Sequence, residues 1–248
     1  MKKNMYSIAF AVLMFMQHPS SFGQKKFYFS IETGFFTSNT NNNLKDAMIA
    51  SGFNKYVTYG FFGFISTTRY PTVYTGNKRY RVRVGYQIKE GSVLEAGYSY
   101  SFGGNVYGAD RMEQNGYDYL NFLNITSKVH TLSFNYILQT KKASAGIGAG
   151  PVFVFFNTEK QSQGLPVTTG TARENALHLA AGTMAFWNFI NRKTWFAGIR
   201  ADASFSGGHT ISATDVVNTF DPTLVSHFKE SRVGNFMGSI NFAVGFRL

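Results

Sequence analysis

Cysteine is absent from the chain. That excludes disulfides, thiolate chemistry, cysteine-type zinc sites and the acylated cysteine of a lipoprotein. Charge is thin at 15%, and acid is scarcer than base: 13 Asp and Glu stand against 24 Lys and Arg, for a net charge of +11. A basic excess suits either nucleic acid or an acidic membrane surface. The chain carries no basic helix and no nucleic-acid motif, so nucleic acid is not expected as a partner. Beyond the N-terminus there is no run of about 18 uncharged apolar residues, which argues against a helical membrane protein. Proline is scarce, at 5 residues. What is abundant is Phe (26), Tyr (14) and Gly (25), a mix that suits β structure and argues against disorder.

Residues 1–23 read as a secretory signal peptide. Lys2 and Lys3 are its basic start, 8–16 its apolar core, and Ser21-Phe22-Gly23 a small-x-small cleavage site, so the mature chain is expected to begin near Gln24. The competing readings are an anchoring or a buried first helix. The apolar core is short for a span, which takes about 20 helical residues.

The stretch 79–103 sets the pattern for the rest. Tyr80, Val82, Val84, Tyr86 and Ile88 alternate with Arg79, Arg81, Arg83, Gln87 and Lys89. After the turn residues 89–92, Leu94, Ala96, Tyr98, Tyr100 and Phe102 alternate with Glu95, Gly97, Ser99 and Ser101. A period of two places successive side chains on opposite faces of a strand. This is a hairpin with one aromatic face and one charged face. Six more such segments are read at about 27–37, 128–140, 143–157, 176–190, 195–206 and 233–248. These runs exceed the five or six residues typical of soluble strands and match the roughly 9–11 that cross a bilayer at a tilt. Connections alternate short (89–92, 140–142, 191–194) and long (38–78, 104–127, 158–175, 207–232). The expectation is all-β: a single antiparallel eight-stranded transmembrane β-barrel over 24–248, with short periplasmic turns and long extracellular loops. A soluble lipocalin-like barrel is the alternative. Run length, aromatics near strand ends and repeated small residues on the polar face (Gly97, Ser99, Gly146, Gly148, Gly150, Gly182) favour the membrane.

In this architecture 24–248 resembles the small outer-membrane barrels of the OmpA, OmpX and OmpW type. At the C-terminus, Asn241, Phe246 and Leu248 are similar to the family's assembly signal, although Ala243 stands where Gly is usual and Leu248 replaces the common final Phe. The resemblance implies a Gram-negative outer membrane, contact with membrane lipid and lipopolysaccharide, and handling by the barrel assembly machinery.

The sharpest constellation is Glu32, Arg81, Arg83, Glu95, Arg200, Asp202 and Arg247, all on polar faces. Buried ions must be paired, so Arg81 or Arg83 is expected to bridge Glu32 and Glu95 across the lumen. The structural reading is a salt-bridged plug, and the functional reading an Arg-lined gated pore. Eight strands leave an interior just wide enough for side chains. Hydrolase chemistry finds no support. His130 and Ser133, three apart on one strand, face opposite ways. His178 has no Ser two residues off, and His209 with Thr210, Ser212 and Asp215 falls in a loop. No metal spacing is present, and no cofactor is expected. The first long loop, 38–78, is expected to carry a short helix over 44–53, with Leu44, Ala47, Met48 and Phe53 on one side. The aromatic stretch 56–74 then follows, read as a capped strand extension or as a surface for a partner or small apolar ligand. Two more strands here would make ten. Three functions compete: a non-enzymatic structural or surface-interaction barrel, a small channel for hydrophobic solutes as the OmpW resemblance implies, and a lipid-modifying enzyme.

Overall fold

The computed structural model describes residues 27–61, 64–76, 78–140, 142–162, 168–234 and 236–248. The signal peptide read at 1–23 lies outside them. Eight strands form a closed antiparallel ring: β1 Phe27–Ser38, β2 Lys78–Lys89, β3 Ser92–Gln114, β4 Tyr117–Gln139, β5 Ala143–Ser162, β6 Thr168–Asn191, β7 Trp195–Ser206 and β8 Phe236–Arg247. Each strand pairs with its sequence neighbours. β8 closes on β1 through pairs such as Phe29↔Phe246 and Ile31↔Val244. Closure leaves no unpaired ring edge, which is the condition for a sheet to stand in hydrocarbon.

The alternation decides what each side of the wall meets. Phe35, Leu179 and Ile240 point outward and are 60–73% exposed, while Glu32, Arg83 and Arg200 point inward at 2–3%. Apolar residues cover the outside of every ring strand and ions fill the inside, the reverse of a soluble barrel. Trp187 and Trp195 stand outward close to the 191–194 turn, where an interfacial girdle belongs.

Four strands run further than the alternation implied. β3 and β4 continue to a two-residue turn at Asn115–Gly116, and β5 and β6 continue to Ser162 and from Thr168. The segments 104–127 and 158–175, read as long loops, are therefore largely strand. The hidden signal is an inversion. Above the membrane the outer face meets water, and the inner face turns apolar with Val106, Leu123, Ile125 and Phe156. In β3 the change coincides with a bulge between Phe102 and Gly104, where Gly104 takes a φ of 98° and the inward set passes from odd to even numbers.

The two remaining loops close the top. Helix α1, Thr40–Ala50, begins four residues before the expected helix. Its Leu44, Ala47 and Met48, with Phe53 just beyond, pack on the inner face of the raised strands. Ile211, Val216, Phe228 and Val233 from the last long loop complete this core. That loop folds as two small hairpins, His209–Ile211 with Ser231–Val233 and Thr214–Val217 with Val225–Phe228. The strands Tyr56–Phe61 and Phe64–Arg69 pair only with each other, so the ring stays at eight rather than ten. Val57 and Tyr70 cover Ala109 and Phe122 on the outer face of the β3–β4 extension.

Candidate functional site

Three arginines and three carboxylates meet inside the ring, below the apolar lid. Register brings them close. Glu32 on β1 pairs with Arg81 on β2, Arg83 lies two residues on, and Glu95 on β3 lies two residues from Gly97, the partner of Arg83. Arg200 and Asp202 come from β7, across β1 and β8, and reach over the lumen. Small residues on the inner wall, Gly97 and Ser99 among them, leave room for the guanidinium groups.

Arg81 Nη1 lies 2.7 Å from Asp202 Oδ2 and 3.2 Å from Glu32 Oε2. Arg83 reaches all three acids. Its Nε is 2.9 Å from Glu32 Oε1, its Nη2 3.2 Å from Asp202 Oδ1, and its Nη1 bonds Glu95. Arg200 forks onto Glu95 with Nη1–Oε2 at 2.9 Å and Nη2–Oε1 at 2.8 Å, the bidentate geometry that suits a guanidinium and a carboxylate. Neutral groups finish the shell. Tyr28 donates to Glu95 at 2.5 Å and Asn135 at 3.0 Å. Ser239 donates to Asp202 at 3.1 Å and Asn241 at 3.3 Å. Each carboxylate is tied to several strands at once, so the cluster crosslinks the ring through its middle and fills it.

Six of the seven predicted charges thus come together. Arg247 does not. It sits at the short-turn mouth, where it bonds the carbonyl of Arg192, donates to Asn191 Oδ1 at 2.6 Å and lies 5.1 Å over the Phe196 ring. The last residue of a strand is already at the rim, so inward parity alone did not place it in the lumen. Of the assembly-signal residues, Asn241 faces inward onto Asp202, and Phe246 and Leu248 face outward. Arg79 was missed as a member. It is buried, donating to Ser239 and Ser99 at 2.9 Å each and covering the Phe36 ring. The signal for it lay in the same Arg-x-Arg-x-Arg alternation.

Among the described histidines, His178 and His209 meet edge to face with ring centroids 6.1 Å apart, and the others stand apart. His130 faces outward, 2.7 Å from the Tyr98 hydroxyl, with Ser133 on the inner face. His209 stacks on Phe156 and lies 3.6 Å from Glu174. His227 pairs with Asp215 at 2.7 Å in an exposed hairpin. The neighbouring Ser226 turns inward to accept from Asn121 at 3.0 Å, so this His–Asp pair has no hydroxyl nucleophile from its own strand. In the same loop the Thr223 hydroxyl and amide hold the Asp221 carboxyl below the usual range.

No family model matches the chain, and no curated protein matches it. Among solved structures it is similar to Ail, the attachment invasion locus protein of Yersinia pestis, at 9% identity, TM-score 0.40, over 90% of this chain and 99% of that one. It is similar to the outer membrane protein OprG of Pseudomonas aeruginosa at 12% identity, TM-score 0.42, over 91% and 99%. It is also similar to the outer membrane protease OmpT of Escherichia coli at 8% identity, TM-score 0.43, over 93% and 99%.

Proposed function

We propose that this chain is an outer-membrane β-barrel with a non-enzymatic, structural or surface-interaction role, whose lumen is closed. The observation that carries this reading is double occlusion: the Arg–carboxylate cluster fills the ring at membrane depth, and α1 with the last loop fills it above. The apolar outer belt supports residence in a bilayer, and ring closure supports crossing it by strands alone. With transport blocked, the working surface is what rises outside. Tyr56, Ile65, Tyr74, Tyr117 and Phe220 stand exposed on the loops and raised strands, residue types that supply contact area to partners.

The test has two arms. Purified protein in planar bilayers is expected to give no stable conductance steps, and steps lost on replacing Arg81 and Arg83 would replace this reading with a channel. Lipid A from cells with and without the protein is expected to be identical. A changed acyl pattern would make the chain a lipid-modifying enzyme.

A further inference from the structure

The buried charges do not balance. Arg79, Arg81, Arg83 and Arg200 are each no more than 5% exposed and face into the lumen. The carboxylates bonded to this group are Glu32, Glu95 and Asp202. All 13 acidic residues of the chain lie within the described segments, so no acid elsewhere in the chain remains to be placed beside them. One positive charge is left over in the middle of a membrane-spanning ring, where an uncompensated ion is costly.

Arg79 is the unmatched member. Its Nη1 and Nη2 donate to hydroxyls, which carry no charge, and its Nε–H has no acceptor among the described residues. A cavity of about 50 Å³ opens beside it, lined by Arg79, Arg81, Arg83, Thr131, Ser133 and Ser204, with Asp202 on one wall. Asp202 already accepts from Arg81, Ser239 and Asn241 through one oxygen and from Arg83 and Arg200 through the other. The Arg79 side chain and three hydroxyl-bearing side chains line this space, which is larger than the roughly 10–15 Å³ that admits one water.

We propose that a small monovalent inorganic anion, chloride, occupies this cavity against Arg79. It supplies the missing negative charge and an acceptor for the Arg79 Nε–H. A phosphate or sulfate fits less well, being bulkier and bringing a second charge beside Asp202.

The experiment uses the mature barrel purified in detergent. Crystals grown with bromide in place of chloride are measured at the bromine absorption edge, and the excess ³⁵Cl linewidth of the protein in solution is titrated. The expected result is one anomalous peak inside the ring, within hydrogen-bonding reach of Arg79, and a saturable ³⁵Cl signal displaced by bromide. Arg79→Met is expected to lose the peak and weaken the titration at least tenfold. Wild-type crystals without anomalous density in the lumen overturn the proposal, whether or not the variant folds. A peak that persists in Arg79→Met overturns it too.

Discussion

Glu95 is the residue on which the lumen converges. It accepts from Arg83, Arg200, Tyr28 and Asn135, and its side chain is 1% exposed. Breaking a buried pair from one side leaves its partner charged and unmatched, at a cost of about 3–5 kcal/mol. Removing both partners for apolar groups of similar size costs far less. Glu95→Leu alone is therefore expected to lower stability by that amount. Glu95→Leu with Arg200→Met is expected to recover much of it, with a coupling of up to about 3 kcal/mol. Urea unfolding in detergent, followed by the fluorescence of Trp187 and Trp195, measures both. Strict additivity would mean that the two side chains do not act on each other.

At the scale of elements, the membrane half was legible and the raised half was not. Within the bilayer, hydrocarbon outside and ions inside give a clean period of two, so Tyr80–Ile88 against Arg79–Lys89 announced its strand and both faces. The same rule found Glu32, Arg81, Arg83, Glu95, Arg200 and Asp202. It could not say that Arg247 had reached the rim, because parity carries no depth. Above the bilayer the solvent outside changes from lipid to water, so the apolar face moves inward. The bulge at Phe102–Gly104 shifts the phase in β3, and the hairpin Tyr56–Arg69 makes part of the outer face apolar as well. The averaged pattern then looks like loop. Asn115-Gly116 was a signal passed over inside the stretch read as loop, since Asn-Gly favours the two-residue turn with both central residues at positive φ, here 55° and 77°. Gly116→Val is expected to cost about 1–2 kcal/mol from backbone alone, because a Cβ there meets open space. The tip is expected to open independently of the ring, as local units of a fold do. Limited proteolysis near 110–120 is therefore expected to accelerate while the temperature at which the folded gel band is lost stays unchanged. A matching fall in that temperature would show the extension and the ring unfolding as one unit.

At the scale of the whole molecule, two seals of opposite chemistry stand in series along one axis. The lower seal is ionic and built from the ring itself. The upper seal is apolar and built from loops laid onto the raised strands, with α1 anchored by Asn41 donating to the Gly103 carbonyl at 2.6 Å. Seals in series are redundant, so removing either one leaves the path blocked. Replacing 39–74 by a short Gly/Ser linker is expected to leave planar bilayers silent, because Arg83 and its three acids still fill an interior only as wide as its side chains. Changing Glu32, Arg81, Arg83 and Glu95 together to Ser is also expected to leave them silent, because Leu44, Met48 and Phe53 still cover the mouth. Combining the two is expected to produce conductance steps. Each variant must first show the heat-shifted band of a folded barrel, since stripping the lid exposes Val106, Leu123 and Ile125 and invites aggregation. Conductance from the loop deletion alone would mean that the ions line an open path instead of closing it. The apolar lid would then be the gate.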